Sequence, residues 1–389
     1  MSMSEATPVT VRTHTSDQPI ACLQASRPTA TTITRASVAV ETGAASLANA
    51  LASRPALVVM SSTVNRLYGD SIGRALRAAV AAEVPTCVIP AGESNKTTQS
   101  VLRLLERAYD LGLSRDGMMV GIGGGVVLDM VGFAASQYRR GIDHIKVGTT
   151  LVAQVDAAVG LKCGVNVGSA KNLAGAFYPP VSVLTDSQFL TTLRQLDIRS
   201  GLAEMVKLAV ATDEAYFAVL EDSASTLLDP SQRTSATAEG LVDRAISGMV
   251  AELNANPYEG DLRRRVDAGH TISPYIESAT NYAVPHGEAV AIDLGVFAVV
   301  SNLMGILPDA DLSRLLELLK RLGLPLFHPS LMDADAVSRA LDATAAHRGR
   351  KLRLPLPERI GSTLFVDERL TVPDDLMRHA ILILKESWT

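Results

Sequence analysis

Apolar and polar positions along this chain fall into two regimes. From Ala56 to Leu184, short apolar runs alternate with longer stretches of helical spacing. Ala56–Ser61, Thr86–Ile89, Met118–Ile122, His144–Val147 and Val181–Leu184 are too brief for helices and nearly continuous in apolar character, which predicts buried strands. Between them, Asn65–Ala82, Ser100–Leu111 and Val126–Ser136 have helical spacing; in the first, Leu67, Ile72, Leu76 and Val80 share one side. Ser46–Ala52 is a short helix ahead of them. This alternation predicts a parallel sheet layered with helices, with ligands gathering at the carboxyl ends of the strands.

From about Ser187 the period becomes that of helices. They are predicted over Gly201–Ala211, Glu214–Ser223, Ala236–Leu253, His270–Ala279, His286–Met304, Ala310–Leu322 and Asp333–Ala346. Leu312, Leu315, Leu316, Leu319 and Leu322 form a stripe that belongs to the core. Alternation in Lys351–Leu356 and Ser362–Val366 predicts two short strands. The opening stretch, Met1–Arg35, is rich in Ser and Thr with little periodicity; part of it can pair as an edge strand and much of it is loose. The expected division is an extension over 1–35, an α/β domain over 36–186 and a mainly helical domain over 187–389. A pocket belongs at the seam between the two domains.

Composition narrows the function classes. A chain of 389 residues has room for two cores, and 47% hydrophobic with 20% charged residues is ordinary for a soluble globular protein. The net charge of −5 offers no electrostatic reason to expect nucleic acid or a membrane surface. Cys22, Cys87 and Cys163 are widely spaced and odd in number, which suits a reducing cytosol. No apolar run approaches a membrane span and the N-terminus lacks a basic-then-apolar signal pattern, so a cytoplasmic protein is expected.

Candidate chemistry starts at Gly123–Gly125, between a predicted strand and a predicted helix. Such a turn either is a plain tight connection or presents free helix N–H groups to a phosphate. Arg139, Arg140, Thr149, Thr150, Asp156 and Lys162 follow it closely, a set suited to a polar, phosphorylated substrate beside a nucleotide. Glu93 and Lys96, in the polar loop Pro90–Lys96, reach a nucleotide ribose or phosphate, or else form a solvated turn. In the helical half, Glu204, His270 and His286 stand out. A lone histidine is usually a packing residue, but two with a carboxylate make an open zinc-type arrangement if their helices meet. Lys207, one turn after Glu204, either pairs with it or faces the substrate.

Taken in order, these segments resemble the sugar phosphate cyclases, the superfamily that includes 3-dehydroquinate synthase. The match runs over roughly Ala56–Gly361. It rests on Pro90–Lys96, Gly123–Asp129, Tyr138–Gly141, Asp156–Lys162, Lys171–Asn172, Gly201–Lys207, Gly269–Thr271 and His286–Glu288. The resemblance implies a Rossmann-like α/β domain followed by a helical metal-binding domain, catalytic NAD, a homodimer, and a divalent ion (zinc or cobalt) held by Glu204, His270 and His286. It implies NAD contacts from Glu93, Lys96, Gly124, Gly125, Asp129, Thr149, Thr150 and Lys171. Lys162 and Asn172 then take the substrate phosphate, with Arg140 reaching across the dimer, and Asp156, Lys207, Arg263 and Asp267 take the sugar hydroxyls. The implied reaction oxidises an alcohol, eliminates phosphate, returns the hydride and closes a carbocycle by an aldol step. Such an enzyme is a lyase.

Departures from the quinate-type pattern bear on the substrate. Asp267 and Pro274 stand where that type has an asparagine and a histidine, and Met249 stands near its lysine. A carboxylated sugar would lose a cation there, whereas a neutral polyol loses nothing. These positions, with Gly248–Asn254 and Leu354–Pro357, are similar to the 2-epi-5-epi-valiolone synthase group, whose substrate is sedoheptulose 7-phosphate. Cys163 and Gly148 depart from that group's usual threonine and proline. They leave open 2-epi-valiolone and desmethyl-4-deoxygadusol synthases on the same substrate. The rival from another class is an NAD- and metal-dependent polyol dehydrogenase, in which the Lys162, Asn172 and Arg140 set would be absent.

Overall fold

The computed structural model describes residues 8–11, 21–24, 30–36, 44–51, 54–80, 84–168 and 170–388. A small antiparallel hairpin joins β1 (Pro8–Val11) to β2 (Ala21–Gln24). The main sheet begins at β3 (Thr32–Arg35), so it takes in residues expected to belong to the extension, as the edge strand foreseen there. Then come α1 (Ala44–Leu51), β4 (Ala56–Ser61), α2 (Ser62–Val80), β5 (Thr86–Ile89), α3 (Thr98–Asp110), β6 (Met118–Gly123), α4 (Gly125–Gln137) and β7 (Asp143–Gly148). A hairpin of β8 (Lys162–Val167) and β9 (Ala170–Phe177) precedes the last sheet strand, β10 (Ser182–Thr185).

Six strands lie in the order β3-β10-β7-β6-β4-β5, and every neighbouring pair is parallel. All positions of β4 and β6 are buried, as a sheet covered on both faces requires. Strand residues alternate between two cores. Val58, Met60, Val120 and Ile122 pack with Leu47, Leu51, Ile72 and Leu76 of α1 and α2. Leu57, Val59 and Met119 pack with Leu104 of α3 and Val131 and Ala134 of α4. The winding reverses between β4 and β6, which opens a crevice at their carboxyl ends, where Gly123 leads into α4.

The second half holds α5 (Gln195–Thr212), α6 (Glu214–Ser223), α7 (Ala236–Ala255), α8 (Ser273–Ala279), α9 (His286–Leu303), α10 (Asp309–Arg321) and α11 (Ala334–His347). An antiparallel hairpin, β11 (Leu354–Arg359) with β12 (Ser362–Val366), and α12 (Asp374–Trp388) complete it. α9 is long and apolar enough to cross a membrane, contrary to the expectation that no run approaches that length. It is instead the central helix of this half, packed against α5, α8, α10 and α12. It meets α5 backbone to backbone: a Cβ on Gly287 would lie 2.2 Å from the Cα of Ser200.

Two local expectations need correction, and two elements were not foreseen. The helix predicted from His270 begins at Ser273, because a carboxylate from α9 takes up the N–H groups of the preceding turn. The stretch from Asp156 to Lys162, which by its spacing reads as one further helix, is not one: Asp156 sits in a widened π-type turn over Ala153–Ala157 and Lys162 opens a strand. The β8–β9 hairpin escaped notice because its residues are small and polar and much of β9 faces outward. α12 escaped too, although Met377, Ala380, Ile381 and Leu384 recur at helical spacing and are buried.

Candidate active site

The seam between the halves gathers most of the candidate residues. Glu204 projects from the middle of α5, His286 opens α9, and His270 lies in the turn before α8. One potential ligand atom from each lies within 4.8 Å of the other two. Nε2 of His286 is 3.1 Å and Nε2 of His270 is 3.9 Å from Oε1 of Glu204. Glu204 is 2% exposed, and neither oxygen has a well-aligned hydrogen bond, although Nζ of Lys207 lies 2.5 Å from Oε2. The Lys207 ammonium covers Oε2, which leaves Oε1 turned toward the two histidines. Two imidazoles and a carboxylate around one point suit a divalent transition ion with open positions, so the residues fit the implied ion.

The surrounding chain aims these ligands. Gly269, at φ +73°, turns the backbone ahead of His270, whose Nδ1 is 3.1 Å from the Ala268 carbonyl. Nδ1 of His286 faces Oε1 of Glu277, and Oε2 of Glu277 faces Lys171. Asp293 of α9 accepts the N–H groups of Thr271, Ile272 and Ser273 at 2.7, 2.5 and 2.8 Å.

Charges in this seam shift one another. Burial opposes ionisation of Glu204, but Lys207 and then the two histidines hold its pKa well below the usual value. Burial likewise opposes the charge on Lys207, and the Glu204 and Asp156 carboxylates overcome it, raising its pKa. Asp156 is pushed up, first by burial and then by Glu204. Burial, followed by Lys207, takes His270 down to about 4. Burial acts the same way on His286, but Glu204 and Glu277 outweigh it and bring it to about 9.

Asp267 is countered by Arg264 at 2.7 Å and Arg348 at 4.0 Å, which hold its pKa down against burial. Arg264 also lies 2.9 Å from Glu259, whose carboxylate pairs with Lys162. Arg263, expected at the sugar hydroxyls, is instead half exposed and paired with Asp367. Its neighbour Arg264 is the arginine beside Asp267.

The nucleotide-side candidates form a second network. Gly124 stands at the N-cap of α4 and offers no side-chain cap, and a Cβ there would lie 3.2 Å from Cγ2 of Thr150. Gly125 is the first residue of α4. Such an uncapped start leaves N–H groups free for a phosphate. The Thr149 N–H donates to the Gly123 carbonyl at 3.0 Å, and Thr150 Oγ1 accepts the Ala153 N–H at 3.1 Å. Buried Lys96 places Nζ 2.5 Å from Oδ2 of Asp129 and 2.5 Å from Oδ1 of Asn172. Asn166 donates to Glu93 at 2.9 Å and accepts the Asn172 N–H at 2.8 Å. Arg140 stands apart: it is exposed, at φ +68°, and its guanidinium makes no hydrogen bond or ion pair among the described residues.

Reasoning from the sequence passed over Asn166, Glu259, Arg264, Glu277 and Asp293. Glu277 sits one helical turn after Ser273 and so shares a face with the turn carrying His270, which was a readable signal. Asp293, an acid inside the apolar run of α9, was another.

Comparison with known proteins adds to this geometry. The family described as 3-dehydroquinate synthase N-terminal matches residues 86–200, and that described as 3-dehydroquinate synthase C-terminal matches residues 201–344. The chain is 42% identical to a 2-epi-5-epi-valiolone synthase of Streptomyces glaucescens over 336 residues, 86% of each protein. A solved 2-epi-5-epi-valiolone synthase from Streptomyces hygroscopicus subsp. jinggangensis, with NAD+ and Zn2+ bound, superposes with a TM-score of 0.86 at 35% identity, covering 94% of this chain and 99% of that one. A 2-deoxy-scyllo-inosose synthase complexed with carbaglucose-6-phosphate, NAD+ and Co2+ superposes with a TM-score of 0.74 at 26% identity, covering 92% and 97%.

Proposed function

The chain belongs to the 3-dehydroquinate synthase family, and on that premise we propose that it is a sugar phosphate cyclase converting sedoheptulose 7-phosphate to 2-epi-5-epi-valiolone with loss of phosphate. The observation that carries this reading is the cluster of Glu204, His270 and His286 in one seam with Asp156, Lys207 and Asp267. Met249 lies in the apolar core, so no cation stands at that position for a substrate carboxylate.

When bound, NAD stores and returns a hydride and the divalent ion, zinc or cobalt, polarises the sugar oxygens. Glu204, His270 and His286 hold the ion. Lys207 stays an ammonium between Glu204 and Asp156 and donates hydrogen bonds to sugar hydroxyls. Asp156, its pKa raised by burial and Glu204, accepts or returns hydroxyl protons nearby. Asp267, ionised beside Arg264, accepts hydrogen bonds from neutral hydroxyls. Lys162 leaves Glu259 to bind the phosphate with Asn172, which holds the leaving group where its own oxygen can take the C–H proton during elimination.

Glu93, Lys96, Gly124, Gly125, Asp129, Thr149, Thr150 and Lys171 hold NAD. Arg263 and Arg140 complete the polar set, the first by exchanging Asp367 for a sugar hydroxyl, the second by reaching into the other site of a cytoplasmic homodimer. That the exposed guanidinium of Arg140 makes no hydrogen bond or ion pair among the described residues supports that role. Incubation of the protein with sedoheptulose 7-phosphate, NAD and Zn2+, with NMR identification of the product, tests the whole reading. Recovery of unchanged substrate, or of an acyclic ketone, would overturn it.

A further inference from the structure

We propose that Glu277 is the positioning residue of the ion site: it turns Nε2 of His286 toward Glu204 and His270, and Lys171 holds it in that task. The inference rests on the reading of Glu204, His270 and His286 as ion ligands. Glu277 is buried in α8, and its two oxygens are divided between two partners, Nδ1 of His286 and Nζ of Lys171. With Nδ1 engaged as a donor to a carboxylate, the imidazole presents its other nitrogen, 3.1 Å from Glu204.

His270 is oriented differently, by a neutral carbonyl at 3.1 Å. The two histidines are therefore unequal ligands, and only His286 has its ring backed by a charge. Glu277 cannot drift, because the N-terminus of its helix is fixed to α9 by Asp293 and α9 itself begins with His286.

A plain buried ion pair between Lys171 and Glu277 is the competing account. A carboxylate serving only the lysine would have no need of the histidine, and replacing it would change folding and little else. Here the carboxylate is shared, and Lys171 comes from the β8–β9 hairpin, 106 residues distant in sequence. The lysine fixes the carboxylate; the carboxylate fixes the ring.

The test uses the full chain stripped of metal and titrated with Zn2+ against a chelator of known affinity, with the visible spectrum of the Co2+ form as a second readout. Glu277→Ala is expected to weaken Zn2+ binding about a hundredfold and Glu277→Gln about tenfold, the range found for partners of metal-bound histidines. Lys171→Met should weaken it a few fold. The cobalt bands should shift in Glu277→Gln, a change that a purely structural role leaves unmoved. His286→Ala is the control for the ligand reading: wild-type affinity in that variant sinks the ion site itself. Loss of binding in His286→Ala with wild-type affinity and cobalt bands in Glu277→Gln overturns the proposal alone. Glu277→Gln keeps size and one acceptor, so it carries the test if Glu277→Ala does not fold.

Discussion

Oδ2 of Asp293 accepts the backbone N–H of Thr271 at 2.7 Å, which ties the residue after His270 to the helix that begins with His286. The same oxygen takes the N–H groups of Ile272 and Ser273. One helix thus supplies one candidate ligand and clamps the segment bearing another. Their separation is set by α9, a rigid element, and not by the loop between them.

Asp293→Ala leaves three buried N–H groups without an acceptor. Unpaired buried donors cost about 1–3 kcal/mol each before relaxation, so a loss of about 3 kcal/mol in urea unfolding is expected, together with weaker Zn2+ binding. Unchanged stability would mean that water reaches this turn.

Asp293 also sets a pH dependence. Burial raises its pKa from 3.8 to about 6, so the folded protein binds this proton before the unfolded chain does. Its contribution therefore falls as pH rises from about 4 through about 6 and is level above that. Asp293→Asn keeps the shape and has no such titration. Relative to that variant, the wild type should lose stability across this window, measured by urea melts at several pH values.

Removing a ligand should empty the ion site. His270→Ala leaves one imidazole and one carboxylate, and a two-ligand site does not retain zinc at working concentrations. Turnover is expected to vanish and metal content by elemental analysis to fall below a tenth of an equivalent, an order-of-magnitude expectation from the same coordination argument. Full occupancy in this variant would exclude His270 as a ligand.

The cofactor should be regenerated in every turnover. Oxidation and reduction fall on one substrate, so no NADH accumulates as product forms. Absorbance at the NADH band is expected to stay flat while phosphate is released. A rise stoichiometric with product would point to a polyol dehydrogenase, whose fold is similar.

Sedoheptulose 7-phosphate should be preferred over 3-deoxy-arabino-heptulosonate 7-phosphate, its carboxylated counterpart. Met249 is buried among apolar side chains and Pro274 carries no charge, so the extra carboxylate meets no cation at either position. Asp267 adds repulsion, though Arg264 at 2.7 Å offsets part of it. The loss of one charge-assisted pair and the residual repulsion should cost about a hundredfold in kcat/KM. Equal values on the same preparation would show that these positions do not set the choice.

The sheet was legible because buried parallel strands are short and nearly all apolar; Ala56–Ser61 and Thr86–Ile89 match their predicted bounds. Glu204, His270 and His286 could be picked out individually, and motif order grouped them. Their meeting depends on Gly287 against Ser200, a contact no local pattern reveals. The β8–β9 hairpin was hidden for the opposite reason. Lys171, Asn172 and Gly175 have little propensity for a strand, and the partners that hold them, Glu277 and Lys96, lie far off in sequence.

That hairpin has a mechanical consequence. Lys171 and Asn172 are consecutive, yet the first is fastened to Glu277 in the helical half and the second to Lys96 in the sheet half. The backbone between them is a stitch across a pair of jaws. A reaction that passes through several intermediates leaks each time its jaws part, and here parting must strain two charged contacts joined by a single peptide unit. The adjacency of the two residues thus couples one half of the chain to the other. One glycine inserted between Lys171 and Asn172 would leave each side chain its partner and still slacken the seam.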